Sequence, residues 1–280
     1  MHQPLLPIRF ANPTVAAEPK GVVYTKPWVV ELLLDLAGYS AQSNLVDAVT
    51  VEPAAGEGAF LVPLALRLVA SCMRQHRPLS DCAESLIAYE LDDASADAAR
   101  RAVTRALVGS GVDAPTADAL ADSWVRTGDY LFEAARLPRA DYVIGNPPYI
   151  RLEDIPTETA NLYRNAYPTM RGRADLYVAF FEAGLRQLNK GGACAYICAD
   201  RWMLNQYGAD LRRLVTEGFR VETVVEMHNA SPFEDDVSAY PAITVIRRGP
   251  QSRAVVASAG PAVESARAGA LAASLLSAAS

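Results

Sequence analysis

Glu52-Pro53-Ala54-Ala55-Gly56-Glu57-Gly58-Ala59-Phe60-Leu61 is a run of small residues punctuated by two glycines. Ahead of it, residues 45–51 read as a strand, and behind it an apolar helical pattern runs to about Arg74. Strand, small-residue turn and helix make the first unit of a doubly wound α/β sheet, whose ligands sit beyond the carboxyl ends of the strands. Gly56 and Gly58 would let the backbone close on such a ligand. A single loop of this kind says little alone, so the units around it have to agree.

Downstream they do. Ser85-Leu86-Ile87-Ala88-Tyr89-Glu90 is an apolar strand ending in a carboxylate, and residues 92–107 are helical in pattern. An acid at the end of a second strand is placed to hydrogen-bond ribose hydroxyls. Its distance from the glycines exceeds the dinucleotide pattern, as a long intervening helix would require. Ser123-Trp124-Val125-Arg126-Thr127-Gly128-Asp129-Tyr130 offers a third strand with Asp129 at its end. That acid either receives an adenine amino group or caps the turn at residues 130–135.

Asp141-Tyr142-Val143-Ile144-Gly145-Asn146-Pro147-Pro148-Tyr149-Ile150 is a further short buried strand that cannot continue past Gly145. Two prolines lack donors and fix φ, and they push the residues before them toward extended geometry. The result is a stiff turn presenting an amide, free carbonyls and an aromatic ring. Such a corner suits one task. The Asn146 side-chain oxygen and the Pro147 carbonyl can accept hydrogens from a planar NH2, drawing it toward tetrahedral geometry, while Tyr149 stacks on the ring that carries it. The plain alternative is a rigid loop that ends a strand.

Around this frame, residues 1–20 are Pro-rich and read as an irregular arm. Tyr24-Thr25-Lys26-Pro27-Trp28 precedes an amphipathic run, with Pro27 suited to a first helical turn. That helix start can receive a carboxylate, and simple capping by Thr25 is the alternative. Residues 151–175 are polar and aromatic-rich, with Arg151, Tyr163, Arg164, Tyr167, Arg171 and Arg173. A loop with a short helix overlying the site is expected there, Arg171 and Arg173 serving as a phosphate-contacting lid. A helix over 176–188 stopped by Asn189-Lys190-Gly191-Gly192, a strand over 193–199, a helix over 201–217 and strands over 220–226 and 241–247 complete the pattern. Phe233, in Ser231-Pro232-Phe233-Glu234-Asp235-Asp236, is either a second stacking face opposite Tyr149 or a loop residue tucked on the core. Residues 251–280 are Ala- and Ser-rich, with a weak helical pattern over 263–276.

Composition sets bounds. A chain of 280 residues with 51% hydrophobic and 21% charged residues is an ordinary globular protein. Its charge of −6 gives no electrostatic case for nucleic acid unless charge is segregated or another module supplies the grip. Cys72, Cys82, Cys194 and Cys198 lack metal spacing beside a histidine, and the reading is reduced, cytosolic and unmetallated. No signal peptide or membrane-length apolar run is present.

Taken in order, residues 24–28, 52–60, Glu90, Asp129, Asn146-Pro147-Pro148-Tyr149-Ile150-Arg151, Asp175-Leu176-Tyr177, 191–200 and 233–248 resemble the gamma-class amino DNA methyltransferases. Within them the chain is most similar to the adenine-N6 enzymes of type IIG restriction–modification (Eco57I-like) proteins, from about residue 20 to 248. The resemblance implies a mostly parallel seven-stranded sheet with helices on both faces, binding S-adenosylmethionine. Glu52, Pro53, Ala54, Gly56, Gly58 and Phe60 would form the cofactor loop. Tyr24, Thr25 and Lys26 would border its methionine end, Glu90 and Leu91 its ribose, and Asp129 and Tyr130 its adenine. Asn146, Pro147, Pro148 and Tyr149 would be catalytic, Asn146 also touching the cofactor, with Phe233 and Arg151 on the substrate side. The implied partner is double-stranded DNA, the implied location the cytoplasm, and no metal is required. Residues 21–248 would be the catalytic domain, and 249–280 a tail or linker toward a target-recognition domain outside this chain, as any nuclease module would also be. The same turn chemistry serves protein-glutamine and guanine-N2 RNA methyltransferases, and an inactive cofactor-binding scaffold is a further reading.

Overall fold

The structure, a computed structural model, describes residues 23–234, 240–260 and 265–279. The expected arm at 1–20, and Asp235 and Asp236 of the polar loop, lie outside the described residues. Among the described residues eight strands form one sheet: β1 (Thr50–Glu52), β2 (Leu86–Glu90), β3 (Val125–Thr127), β4 (Ala140–Gly145), β5 (Leu188–Ala199), β6 (Phe219–Glu226), β7 (Pro241–Arg248) and β8 (Val255–Ser258). Their order is β3-β2-β1-β4-β5-β7-β6-β8, parallel throughout except that β7 runs against both its neighbours. The chain reverses direction across the sheet between β1 and β4, which makes the crevice at their carboxyl ends the switch point.

Helices cover both faces. α1 (Pro27–Ala37), α2 (Leu61–Arg74), α3 (Asp93–Gly109), α4 (Ala114–Trp124) and a C-terminal helix, residues 265–279, pack on one side. α5 (Tyr130–Glu133), α6 (Thr157–Ala166), α7 (Tyr177–Gln187) and α8 (Ala209–Gly218) pack on the other; the C-terminal helix is α9. Strand β5 shows the alternation that divides the two cores. Ala193, Ala195 and Ile197 join the first cluster, and Cys194, Tyr196 and Cys198 the second. No helix among the described residues is long and apolar enough to cross a membrane.

The α/β doubly wound class expected from the sequence is what forms, with five differences. Among the described residues the sheet has eight strands, not seven, because residues 255–258 supply β8 on the edge of β6, and residues 265–279 place α9 against α1. The strand expected at 45–51 is only Thr50–Glu52. Leu45 and Ala48 spend their amides on Ser71 and on Leu45 itself, closing a turn. Ser123 and Trp124 end α4 rather than starting β3, since Asp113 caps the Thr116 amide at 3.0 Å and starts a helix there. The helix expected over 201–217 is two 3-10 turns followed by α8. Arg212 takes up the Trp202 and Asn205 carbonyls at 2.6 and 2.9 Å instead of leaving them to a helix ladder. Asn189-Lys190-Gly191-Gly192 does stop α7, but as part of β5. Gly191 has φ +81°, and a Cβ on Gly192 would stand 2.9 Å from the Ala140 carbonyl, so the four residues bulge within the strand.

Candidate active site

The loop after β1 is tied down on its inner side. The Ala55 amide donates to the Tyr89 carbonyl at 2.8 Å, and the Gly56 amide to Glu90 Oε2 at 2.8 Å. Glu90 Oε1 also accepts the Asp92 amide at 3.0 Å, so this carboxylate organises two turns at once. Gly56 (φ +53°) has open space where a Cβ would stand, whereas a Cβ on Gly58 (φ +101°) would be in van der Waals contact, 3.5 Å, with the Ala99 backbone of α3. Only Gly56 therefore keeps a face clear; Gly58 serves the seating of the loop on α3. Pro53 is buried and Ala54 half-buried, while Phe60 is in the core at the start of α2. Leu91, just past Glu90, is 58% exposed.

Glu52 ends β1 and is 1% exposed, with Oε2 lacking any hydrogen-bond partner. Burial, reinforced by the nearby Glu90 charge, pushes its carboxyl well above the ordinary glutamate range. A buried carboxyl with an unmatched oxygen is costly unless something supplies a partner.

Asp129 follows the third strand, and of its two sequence readings the cap is the one the structure displays. Oδ1 accepts the Leu131 amide at 2.9 Å and Oδ2 the Tyr163 hydroxyl at 2.5 Å. Burial raises its pKa against the opposing effect of those two bonds. The Tyr130 side chain points elsewhere: it is in the core, bonded to Gln187 at 2.8 Å and stacked on Phe180. The ring therefore offers a crevice ligand nothing.

Asn146 follows β4 at the centre. Its Nδ2 donates to the Val23 carbonyl and to Thr25 Oγ1, both at 3.1 Å, and its Oδ1 is buried with no partner. Thr25 therefore does not cap α1; the cap position is Lys26, which makes no side-chain cap bond. Residues 24–26 are fixed against the loop at 232–234. Thr25 bridges Phe233, the Lys26 amide donates to Pro232 O at 2.9 Å, and the Glu234 amide to Tyr24 O at 2.9 Å. Pro147 is buried and Pro148 half-buried, leaving Tyr149 to border the open side. The Tyr149 ring meets Phe233 edge to face, centroids 5.9 Å apart, and its hydroxyl is buried without a partner. Phe233 is only 5% exposed and packs on the first core, as the second of its two sequence readings has it, and it meets Tyr149 by an edge and not as a stacking face.

Tyr149 also borders a cleft of about 690 Å³ reaching from Arg151 to Arg201, between α6 and the 3-10 turns after β5. Arg151 is exposed, 3.8 Å from Glu153 and bridged through its backbone to Asp175. Tyr177 and Tyr207 face it with hydroxyls 2.8 Å apart. Sequence reasoning had no signal for Val23, whose contribution is a carbonyl, or for Tyr207 and Arg201, which look like ordinary helix residues.

The strand order and this crevice are those of the S-adenosylmethionine-dependent methyltransferase fold. The chain superposes on a putative class I S-adenosylmethionine-dependent methyltransferase from Listeria monocytogenes with TM-score 0.63, covering 90% of this chain and 70% of that one at 14% identity. Against the DrdV–DNA complex the TM-score is 0.67, covering 90% and 29% at 14% identity. Residues 131–233, from α5 to the loop bearing Phe233, match the Eco57I restriction-modification methylase family. Over 235 residues the chain is 42% identical to the Type II methyltransferase M.PaeR7I of Pseudomonas aeruginosa, covering 82% of this chain and 41% of that protein. The chain thus spans well under half the length of that relative.

Proposed function

We propose that this chain carries the catalytic part of a restriction–modification DNA methyltransferase that transfers a methyl group from S-adenosylmethionine to the N6 amine of an extruded adenine. The observation that carries the reading is the buried, partnerless Oδ1 of Asn146, aimed by the two hydrogen bonds that its own Nδ2 donates. An acceptor fixed in this way suits an amine whose hydrogens must be drawn out of the base plane. The family match spans this residue, and the P. aeruginosa relative is named a Type II methyltransferase.

The residues present fit the cofactor. Gly56 leaves its outer face clear, Glu90 keeps lone pairs beyond its two backbone donors, Leu91 offers an exposed apolar surface, and Glu52 holds an unmatched buried oxygen. Glu52, the 53–56 backbone, Glu90, Leu91, Asp129 and the 24–26 segment would hold it. When bound, the cofactor supplies a methyl on a cationic sulfur, already activated for displacement. The chain's own work is then alignment and charge: Asn146 and the Pro147 carbonyl hold the amine, and Tyr149 and Phe233 bracket the ring. Base extrusion costs a few kcal/mol, offset by roughly 1–3 kcal/mol per stacked aromatic.

The test is incubation with labelled cofactor and, separately, DNA, RNA and a glutamine-bearing release-factor peptide, followed by digestion to identify the modified atom. N6-methyladenine in DNA is expected; label in the peptide or in guanine would replace this reading. Asn146→Ala is expected to abolish transfer with cofactor affinity nearly unchanged, and parallel loss of both would contradict the assigned role.

A further inference from the structure

The cleft beside Tyr149 gathers side chains from three places in the chain: Arg151 and Arg173 on either side of α6, Arg164 on it, and Arg201 after β5. Their charges are not equally committed. Arg151 has Glu153 nearby, and Arg171, which does not line the cleft, is held by Asp210 at 2.9 Å. Among the described residues neither Arg173 nor Arg201 forms an ion pair; Asp175, which also lines the cleft, feels the Arg151 and Arg201 charges without pairing to Arg201. Arg201 is nonetheless positioned, its guanidinium 5.0 Å from the Tyr240 ring centroid. Cation–π packing of this kind orients a guanidinium without neutralising it.

Positive heads around a concavity walled by the half-buried Tyr149 and Tyr207, with Tyr177 buried behind them, combine charge with stacking surface, the two means by which proteins hold single-stranded nucleic acid. A chain of net charge −6 that grips a polyanion must concentrate its cations somewhere. Resting on the DNA-substrate reading above, we propose that this cleft seats the sugar–phosphate backbone of the target strand beside the extruded nucleotide, with Arg173 and Arg201 contacting phosphate. The lid expected from sequence is thereby reassigned: Arg171 is spent on Asp210, and Arg201, from outside the lid, takes its place.

The experiment measures binding of a short duplex with a single mismatched adenine at increasing salt, using the whole chain. Arg173→Ala and Arg201→Ala are each expected to lower the slope of log K against log salt by about 1. Arg171→Ala should keep the wild-type slope, and Arg173→Lys and Arg201→Lys should restore it, since charge rather than shape is at issue. Cofactor affinity should be unchanged in all of them. Unaltered slopes for both alanine variants, in a wild-type chain that methylates DNA, would overturn the cleft assignment alone. An Arg171→Ala loss as large as theirs would also overturn it, by making the effect one of general surface charge. A wild-type chain that leaves DNA unmodified but methylates another acceptor would remove the substrate reading and this inference together.

Discussion

Asn146 must present one oxygen while its nitrogen is held, and Thr25 supplies half of that hold. Thr25→Val removes one acceptor without changing shape. The loss of roughly 1 kcal/mol of orientation should lower turnover about 5-fold, with Thr25→Ser restoring it. Glu52 predicts a pH dependence of stability. Its folded carboxyl keeps a proton that the unfolded chain releases, so the folded state binds more protons. Stability in the cofactor-free chain should therefore fall as pH rises above the ordinary glutamate range, by up to about 1.4 kcal/mol per pH unit. Glu52→Gln should flatten the melting midpoint between about pH 5 and 8 and raise it at the upper end. A wild-type midpoint that climbs over that range would refute the account.

Among the elements, the loop after β1 separates two glycines that sequence treats alike. Gly56→Ala meets no atom and should cost about 1 kcal/mol, the left-handed backbone penalty. Gly58→Ala, at φ +101° against α3, should cost about 2–3 kcal/mol, read from urea midpoints. What was legible here was whatever local chemistry fixes: the glycine turn, the acids ending β2 and β3, and the proline corner after β4. What was not legible depended on remote partners. Residues 45–49 look like a strand until Ser71 takes the Leu45 amide, and 201–208 look helical until Arg212 reaches back to their carbonyls. The Asn146 anchor was invisible for the same reason, since one of its two acceptors is a main-chain carbonyl 123 residues away.

At the scale of the molecule, the stretch after Arg248 is where composition left two readings open, a linker or a tail packed on the sheet, because small residues carry little apolar signal. The packed tail is the one that forms: Ala268, Ala272 and Leu275 are buried with α1 in the first core, and β8 adds a parallel strand to β6. Small side chains allow the close helix approach that larger ones would prevent. A chain ending after Arg248 should melt several degrees lower and aggregate through the uncovered α1 face, whereas a true linker could be removed without effect. Leu275→Ala alone should cost about 2 kcal/mol in urea unfolding.

The edge-to-face meeting of Tyr149 and Phe233 has a bearing on how a guest enters. A flat heterocycle sandwiched between two rings needs roughly 7 Å from face to face, twice an ordinary atomic contact, and the present 78° crossing of the two planes provides no such slot. Admission and ring reorientation must then be a single event. Any measured association constant carries the work of parting the pair, about 0.5–1.5 kcal/mol. Shortening Phe233 would remove both the doorkeeper and half the seat, so its net influence on affinity would understate each.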